Sequence, residues 1–222
     1  MAEIKIRRYH EDDDEDVKDI FTLGMSEHIP STCMHILKQA LAQMFLGCVF
    51  LALLTSSMSI TLPVLAVTLL LAAGRQTVNY MFTKYIKLSL DQDLNHIRQI
   101  YLEQPNACFW VAEVQGRVVG TAACLPAENA GNYLELKRMS VRKSHRGQGI
   151  AKALCRIVEE FARERGCGGV LLRTSVVQTD AQKLYEKMGY KRAREIEVPE
   201  FIAKMTNFTL FEYRLDLKRR IF

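Results

Sequence analysis

The distribution of hydrophobic and polar residues divides the chain into an apolar block and a surrounding sequence of a different kind. Residues 39–74 carry no charged side chain, and the block consists of two apolar arms, 39–54 and 60–73, joined by a short polar turn. About 20 apolar residues suffice to span a bilayer as a helix. We therefore expect a hydrophobic helical hairpin in a membrane, and the alternative is a hairpin buried in a protein core.

Outside this block the hydrophobic period predicts both strands and helices. Apolar and polar residues alternate over 4–9, as expected of an opening strand, and six acidic residues then precede a helical spacing that starts at Val17. Further strands are predicted at 108–114, 117–124, 133–141, 170–174 and 209–217, and further helices at 94–101, 150–165 and 180–188. This mixture predicts an α/β (α+β) domain around the block.

The block is expected to interrupt one fold. The strands at 4–9 and 108–114 should join the same sheet, so a single membrane span would place them on opposite sides of the bilayer. The arms must therefore enter and leave on one side, and at about 14 to 16 residues each they give ~21–24 Å of helix, short of the ~30 Å core. We expect residues 1–37 and 88–222 to form the domain and residues 38–87 to form the insertion.

Overall composition restricts the class of protein only broadly. The chain of 222 residues is 49% hydrophobic and carries a net charge of +5, which excludes a disordered chain and a collagen-like repeat. Its basic residues form no groove interleaved with aromatic residues, so we expect no nucleic-acid partner. Lys38 and Arg75, which flank the block, favour cytosolic positions for both of its ends.

Six cysteine residues are present, at positions 33, 48, 108, 124, 155 and 167. They form no CxxC spacing, and no pair of histidines accompanies them at the spacing of a zinc site, so we expect no metal. We favour reduced, buried thiols in a chain that faces the cytosol over a framework of disulfide bonds.

A glycine-rich turn separates the predicted strand at 133–141 from the helix that follows. The turn reads Arg146-Gly147-Gln148-Gly149-Ile150-Ala151, and it allows backbone N–H groups to converge where a helix begins. Such a position attracts an anion. The turn has neither the ending of a Walker A loop nor the spacing of a Rossmann turn. Taken alone, it indicates either an anion site or a structural turn.

The context of this turn is more specific. The pattern Arg-x-x-Gly-x-Ala after a strand that ends Met-Ser-Val resembles the acetyl-CoA-binding motif of the GCN5-related N-acetyltransferase (GNAT) superfamily. The segment 181–190, AQKLYEKMGY, resembles its second signature. The resemblance covers residues 3–30 and 91–217. It implies the GNAT fold, a mixed and mostly antiparallel sheet flanked by helices, and an enzyme that transfers acetyl from acetyl-CoA to an amine.

The resemblance also implies roles for individual residues. The backbone of Met139 and Val141 would bind the pantetheine arm, and Tyr185 would protonate the departing CoA thiolate; the alternative for Tyr185 is a core tyrosine. Gln178 stands where many members have Asn, so its hydrogen bond to the cofactor arm stays open. Residues that would surround the pyrophosphate, through backbone amides or positive charge, are Lys143, Arg146, Gly147, Gln148, Gly149, Ile150 and Ala151.

Glu135 is the candidate general base that removes a proton from the amine. It shares strand parity with Met139 and Val141, and it precedes Arg146 by 11 residues. Histone-acetylating members place a basic glutamate at a similar spacing. Two alternatives stay open: a solvent-facing strand acid without a role, and deprotonation through ordered water.

A hydrophobic insertion in such an enzyme resembles the camello-type (N-acetyltransferase 8) family, as do the segments 25–28, 108–113 and 145–154. That family includes the cysteine S-conjugate N-acetyltransferase of the endoplasmic reticulum. The resemblance implies an enzyme of that membrane, or of the ER–Golgi membranes, with a cytosolic catalytic domain. The implied acceptor is a cysteine S-conjugate or a related small amino acid. Alternatives are a protein lysine acceptor and a catalytically weak scaffold, and a homo-oligomer is left open.

Overall fold

The computed structural model describes residues 3–128, 130–199 and 201–217, except for the side chains of residues 201 and 202. The seven strands are β1 (Ile4–Arg8), β2 (Cys108–Val114), β3 (Arg117–Pro126), β4 (Tyr133–Val141), β5 (Gly169–Ser175), β6 (Lys191–Glu197) and β7 (Thr209–Asp216). They form one sheet in the order β1-β2-β3-β4-β5-β7-β6. The pair β4–β5 is parallel and the other neighbouring pairs are antiparallel. This confirms the expected mixed, mostly antiparallel sheet.

Seven helices accompany the sheet in the described part of the chain. They are α1 (Asp14–Ser26), α2 (Ile29–Leu37), α3 (Ala40–Ser57), α4 (Thr61–Ser89), α5 (Ile150–Glu164), α6 (Thr179–Lys187) and α7 (Phe201–Met205). The helix expected at 94–101 is broken: π-helical turns occupy Leu90–Leu94 and Arg98–Leu102. In the first of these turns, Asp93 and Leu94 both point into the protein interior.

The two flanks of the apolar block meet in the sheet, as expected. β1 pairs directly with β2, with Ile4 opposite Val114 and Arg8 opposite Trp110. The chain therefore leaves the domain after α2 and returns to the same sheet at β2. Both ends of the α3–α4 hairpin are consequently held by one folded unit.

Each face of the sheet has its own hydrophobic core. On one face, α5 buries a stripe that includes Ile150, Leu154, Val158 and Phe161, in the core cluster that also contains residues of α6. Such a stripe arises from apolar residues repeated every three to four positions. On the opposite face, α1 and the end of α4 bury a second cluster, which includes Ile20. Full burial of each large apolar side chain contributes about 1.5–3 kcal/mol.

Strands β4 and β5 are paired only at one end. Their register runs from Tyr133 opposite Gly169 to Leu136 opposite Leu172 and then stops. Beyond that point the β3–β4 register shifts, and Arg138 has a φ of 53°. This bulge bends β4, since a bulge adds local twist to its strand. A V-shaped opening therefore lies between the later residues of β4 and those of β5.

A buried ion pair fixes the bulge in β4. The Arg138 guanidinium donates to Asp93 with Nε–Oδ2 and Nη2–Oδ1 distances of 2.8 and 2.7 Å. The hydroxyl of Tyr101 donates to the same carboxylate. Arg138 also lies 4.8 Å from the ring centre of Phe21 on α1. The side chains of the pair are 9% and 7% exposed, so the turn after α4 is held to the middle of β4 without competition from water.

The hairpin of α3 and α4 projects from the domain with its apolar surface exposed. Leu41, Phe45, Leu51, Leu65 and Leu69 are all exposed. The helices have 18 and 29 residues, or about 27 and 43 Å. Both exceed the arms expected from the sequence, because helical structure continues through the turn residues and beyond Arg75. Each helix is long and apolar enough to cross a membrane by length and composition. The domain limits at 37 and 87 stay predictions.

Replacing Asp93 with asparagine tests the importance of the buried ion pair for stability. Asp93→Asn leaves the guanidinium of Arg138 buried without its counter-charge, which costs about 3–5 kcal/mol. We expect the melting temperature to fall by several degrees in a thermal unfolding measurement. The control is Arg98→Gln, which breaks an exposed pair with Glu11 and should have little effect. Equal melting temperatures for both variants would contradict this assignment.

Candidate active site

The loop between β4 and α5 is built to face an anion. Gly147 and Gly149 have φ values of 78° and 86°, and a Cβ atom at either position would meet no atom within 4 Å. The first N–H groups of a helix have no intrahelical acceptor, so those of Ile150 and Ala151 remain available beside the loop. Gln148 is exposed. Their assignment to the CoA pyrophosphate stays a prediction, and this open, donor-rich geometry fits it.

The two cations of this region differ in their surroundings. Lys143 lies exposed on a short 3-10 turn beside the loop. Arg146 instead donates from Nε to the Val141 carbonyl at 3.0 Å and from Nη1 to Glu27 at 2.6 Å. Arg146 thus ties the end of β4 to the end of α1. Its contact with a phosphate stays a prediction, and its present contacts position the loop.

Met139 and Val141 lie on β4 beyond its last pair with β5. On the side of the opening, the backbone of this segment has no partner strand, and an extended ligand arm could therefore occupy that place. The Val141 carbonyl already accepts from Arg146. The implied role of both residues toward pantetheine stays a prediction.

Tyr185 lies on α6, on the sheet face that α5 covers. Its side chain is 6% exposed, and its ring centre is 5.9 Å from that of Tyr190 and 6.3 Å from that of Tyr213. Burial raises the pKa of Tyr185 above its usual value, with a smaller contribution from Cys155. The phenol therefore retains its proton at neutral pH, as both a general acid and a core tyrosine would. Its catalytic role stays a prediction.

Glu135 lies at the base of the opening, where β4 and β5 are still paired. It faces away from α5, since both of its chain neighbours belong to the α5 core. Met139 and Val141 pack in that core too, so the bulge in β4 reverses the alternation of side chains, and the shared strand parity expected for Glu135 is wrong. Its Oε1 is 3.0 Å from Nη1 of Arg173 on β5. The ion pair already gives one carboxylate oxygen of Glu135 a partner. The role of Glu135 as the general base stays a prediction.

Gln178 caps the loop before α6 and contacts a histidine that sequence reasoning left without a role. Its Oε1 accepts from the backbone N–H of Ser175 at 3.0 Å, and also from the hydroxyls of Ser175 and Thr174. This fixes the amide, so that Nε2 faces His28 Nε2 at 3.1 Å. Only a neutral imidazole with a lone pair on Nε2 can accept there. Gln178 therefore keeps an amide at the opening, but that amide already has partners.

The surroundings of His28 favour the same neutral form. Burial lowers the pKa of its imidazole, the charge of Arg146 lowers it further, and Glu27 opposes both effects. His28 belongs to the segment 25–28 that the resemblance highlighted, but neither spacing nor periodicity assigned it to the opening. The contact between His28 and Gln178 depends on where α1 ends. If that helix were one turn longer or shorter, His28 would lie elsewhere.

The opening thus brings several expected site residues together. The glycine loop, Met139, Val141 and Gln178 border it, and Glu135 lies at its base on the face opposite Tyr185. Sequence reasoning missed Glu27, His28 and Arg173. Within the described ranges, no three His, Cys, Asp or Glu side chains are arranged to hold a metal ion.

The six cysteines are free thiols, and four of them, at 108, 124, 155 and 167, are buried. Burial raises the pKa of Cys155 to about 12, with a smaller contribution from Glu159, so this thiol next to the α6 core is an unreactive packing group. Two cysteines depart from the expected burial: Cys33 is half-buried, and Cys48 lies on the exposed surface of α3.

Comparison with known families and structures agrees with this geometry. A profile of the acetyltransferase (GNAT) family matches residues 76–190. An acetyltransferase of the GNAT family from Staphylococcus aureus has a TM-score of 0.57 at 20% identity, with coverage of 97% of this chain and 100% of that one. An acetyltransferase from Bacillus anthracis, crystallised with acetyl coenzyme A, has a TM-score of 0.50 at 23% identity. The match covers 58% of this chain and 72% of that one. The fold and the loop define an acetyltransferase that uses acetyl-CoA.

Relatives of higher identity narrow this class. "Probable N-acetyltransferase camello" of Xenopus tropicalis is 35% identical over 98% of this chain and 100% of its own length. "N-acetyltransferase 8F1" of Mus musculus is 41% identical over 87% of this chain and 88% of its own. "N-acetyltransferase 8B" of Homo sapiens is 39% identical over 86% of both. The chain belongs to the camello-type (N-acetyltransferase 8) family of GNAT enzymes.

A side chain at Gly149 tests the loop as a site for acetyl-CoA. We expect Gly149→Ala to weaken acetyl-CoA binding about tenfold or more in calorimetric titration, because a φ of 86° strains alanine and displaces the N–H groups of the loop. Gly116 in the β2–β3 turn has a similar φ of 76° and also has open space around it. Gly116→Ala should lose comparable stability while acetyl-CoA affinity is retained. A matching loss of affinity in both variants would remove the loop from the binding site.

Proposed function

We propose that this acetyltransferase is anchored in a membrane and acetylates the α-amino group of a cysteine S-conjugate or a related small amino acid. The observation that carries the proposal is the attachment of the apolar hairpin to the chain segment beside the opening. His35 on α2 contacts the backbone carbonyl of Thr206 at 2.9 Å, and Gln39, which directly precedes α3, accepts from the Asn207 side chain at 3.0 Å. This segment leads into β7, which pairs with β5 up to the end of β5 that borders the opening. A conjugate with an apolar sulfur substituent at the membrane surface would be close to the site.

Several features support insertion of the hairpin from one side. β1 and β2 are adjacent strands, so the ends of the hairpin share a compartment. The first uncharged run of α4 covers residues 61–74, about 21 Å of helix, and ends at Arg75; Lys84 and Lys87 follow further along the helix. These basic residues and Lys38 favour the cytosolic side. We propose the endoplasmic reticulum membrane, or ER–Golgi membranes, with the catalytic domain in the cytosol.

In the proposed reaction the acceptor nitrogen forms a bond to the acetyl carbonyl carbon and the bond from that carbon to sulfur breaks. When bound, acetyl-CoA supplies the acetyl thioester. Glu135, or water held near it, takes the proton that the amine loses. Tyr185, which burial keeps protonated, gives a proton to the leaving sulfur. The neutral form of His28 avoids a second positive charge beside Arg146.

Small amino acids are favoured over protein lysines by the charges near the opening. A lysine side chain brings no carboxylate to the reacting amine, and an α-amino acid brings one within a few bonds. Arg173 lies beside Glu135, and its positive charge complements the negative charge of the amino acid's carboxylate. Protein lysines are therefore the second candidate acceptor.

The acceptor is tested by supplying labelled acetyl-CoA and three acceptors in parallel: S-benzyl-L-cysteine, a histone-tail peptide and aspartate. We expect acetylation of the conjugate at the highest kcat/KM. Tyr185→Phe should lower kcat about 100-fold, since general acid catalysis contributes roughly 10²–10⁴. Tyr190→Phe is the matched control, because that ring packs in the same core. Acetylation of the peptide alone would reverse the order of acceptors, and no transfer to any acceptor would indicate a scaffold.

The topology is tested with glycosylation tags in microsomes. One tag is placed in the turn between α3 and α4, at Ser59, and one at each terminus. We expect neither terminal tag to be glycosylated, because both should face the cytosol. Modification of one terminus alone would exclude a hairpin, and full extraction of the protein by alkaline carbonate would exclude membrane anchoring.

A further inference from the structure

Three arginines converge on a buried glutamate on the sheet face opposite α5. Glu212 on β7 has no exposed surface. Its Oε1 accepts from Nε and Nη2 of Arg214 at 2.9 and 2.7 Å, and its Oε2 lies 2.8 Å from Arg194 Nη2 and 3.4 Å from Arg173 Nε. Both carboxylate oxygens are therefore occupied by guanidinium groups of three strands, β5, β6 and β7.

Glu212 is a fixed anion that orients these arginines. Burial alone would raise its pKa, but hydrogen bonds and charge from Arg194 and Arg214 outweigh burial and hold the pKa below its usual value. The carboxylate therefore stays ionised at neutral pH. A guanidinium that already donates to a buried anion loses little conformational freedom when it binds a further anion.

The cluster carries more positive than negative charge. Together with Glu135, the glutamate gives two negative charges against the three positive charges of Arg173, Arg194 and Arg214. Arg194 is 51% exposed and Arg173 is 32% exposed, while the anion that holds them is buried. The accessible part of the cluster is thus its cationic part.

The cluster lies where an acceptor has to approach. Arg173 directly follows Leu172, the last residue of β5 that pairs with β4, so it borders the V-shaped opening. The other face of the sheet is filled by α5 and the core that includes Tyr185. Among the described residues, the face that carries Glu135 and Arg173 is therefore the side from which an amine approaches the opening.

From this arrangement we infer that the Glu135–Arg173 ion pair is the binding site for a zwitterionic α-amino acid; the inference rests on the proposed function. The acceptor ammonium takes the place of Arg173 on Glu135, and its carboxylate takes the place of Glu135 on Arg173, with Arg194 as a second donor. Each charge exchanges one partner of opposite sign for another. No charge is left unpaired in the site, so the desolvation cost of binding is small.

The inference is tested with two ligands that differ only at the carboxylate: S-benzyl-L-cysteine and its carboxamide. Calorimetric titration into the enzyme saturated with CoA, at a pH where both amines are protonated, measures binding without turnover. We expect the carboxamide to bind on the order of 10- to 100-fold more weakly, as for the loss of charge-assisted hydrogen bonds. Arg194→Gln should weaken binding of the acid by a similar factor. It should leave the affinity for the carboxamide within about twofold of the wild-type value.

Two further variants keep the result interpretable. Arg173→Gln should have the same effect on both ligands as Arg194→Gln. If Arg173→Gln unfolds the sheet, the result for Arg194→Gln alone decides the outcome. Arg192→Gln is the matched control, because Arg192 lies on β6 against the Phe211 ring in the α5 core. It should leave the affinities of both ligands unchanged.

Equal affinity of the acid and the carboxamide for the wild-type enzyme would overturn the site, as would no binding of the acid. Equal weakening of both ligands by Arg194→Gln would also overturn it, since a purely structural ion-pair network predicts that result. Acetyl transfer, measured on the same samples, tests the proposed function separately. Selective binding without transfer supports the site and contradicts the function; equal transfer to both ligands supports the function and overturns the site.

Discussion

The buried pair of Arg138 and Asp93 is the interaction on which the opening depends. A strand that simply continued its parallel pairing with β5 would close the gap. In β4, the left-handed residue Arg138 interrupts that pairing, and Asp93 holds its side chain on the opposite face from α5. A buried ion pair contributes little net stability over a well-packed apolar contact. Its value here is geometric, because it specifies one conformation of the bulge.

Around this opening, the two sheet faces have different chemistry. The α5 face is apolar, and it surrounds a tyrosine whose proton is hard to remove. The opposite face carries alternating acids and arginines on β4, β5 and β7. At the end of helix α1, Glu27 accepts a hydrogen bond from Arg146 of the glycine loop, and His28 contacts Gln178. The opening therefore borders an apolar environment on one face of the sheet and a charged environment on the other.

Sequence patterns predicted the sheet and the glycine loop because those depend on local periodicity and on a contiguous motif. They missed β6, whose sequence KRAREIE lacks alternating apolar residues and lies exposed along a sheet edge. They also missed α2, with few buried residues, and the short α7. The roles of Arg173 and His28 depend on cross-strand register and on where α1 ends. These are long-range properties that no local pattern encodes.

Helix α4 has a consequence for any attempt to obtain the domain alone. The same continuous helix that begins in the apolar hairpin buries Val78 and Ile86, and the π-helical turn after it supplies Asp93. Removing the whole helix to gain solubility would therefore also remove part of the second core and the approach to the bulge. The hairpin and the catalytic domain share a structural element, and they are better regarded as one folding unit than as an enzyme with a detachable anchor.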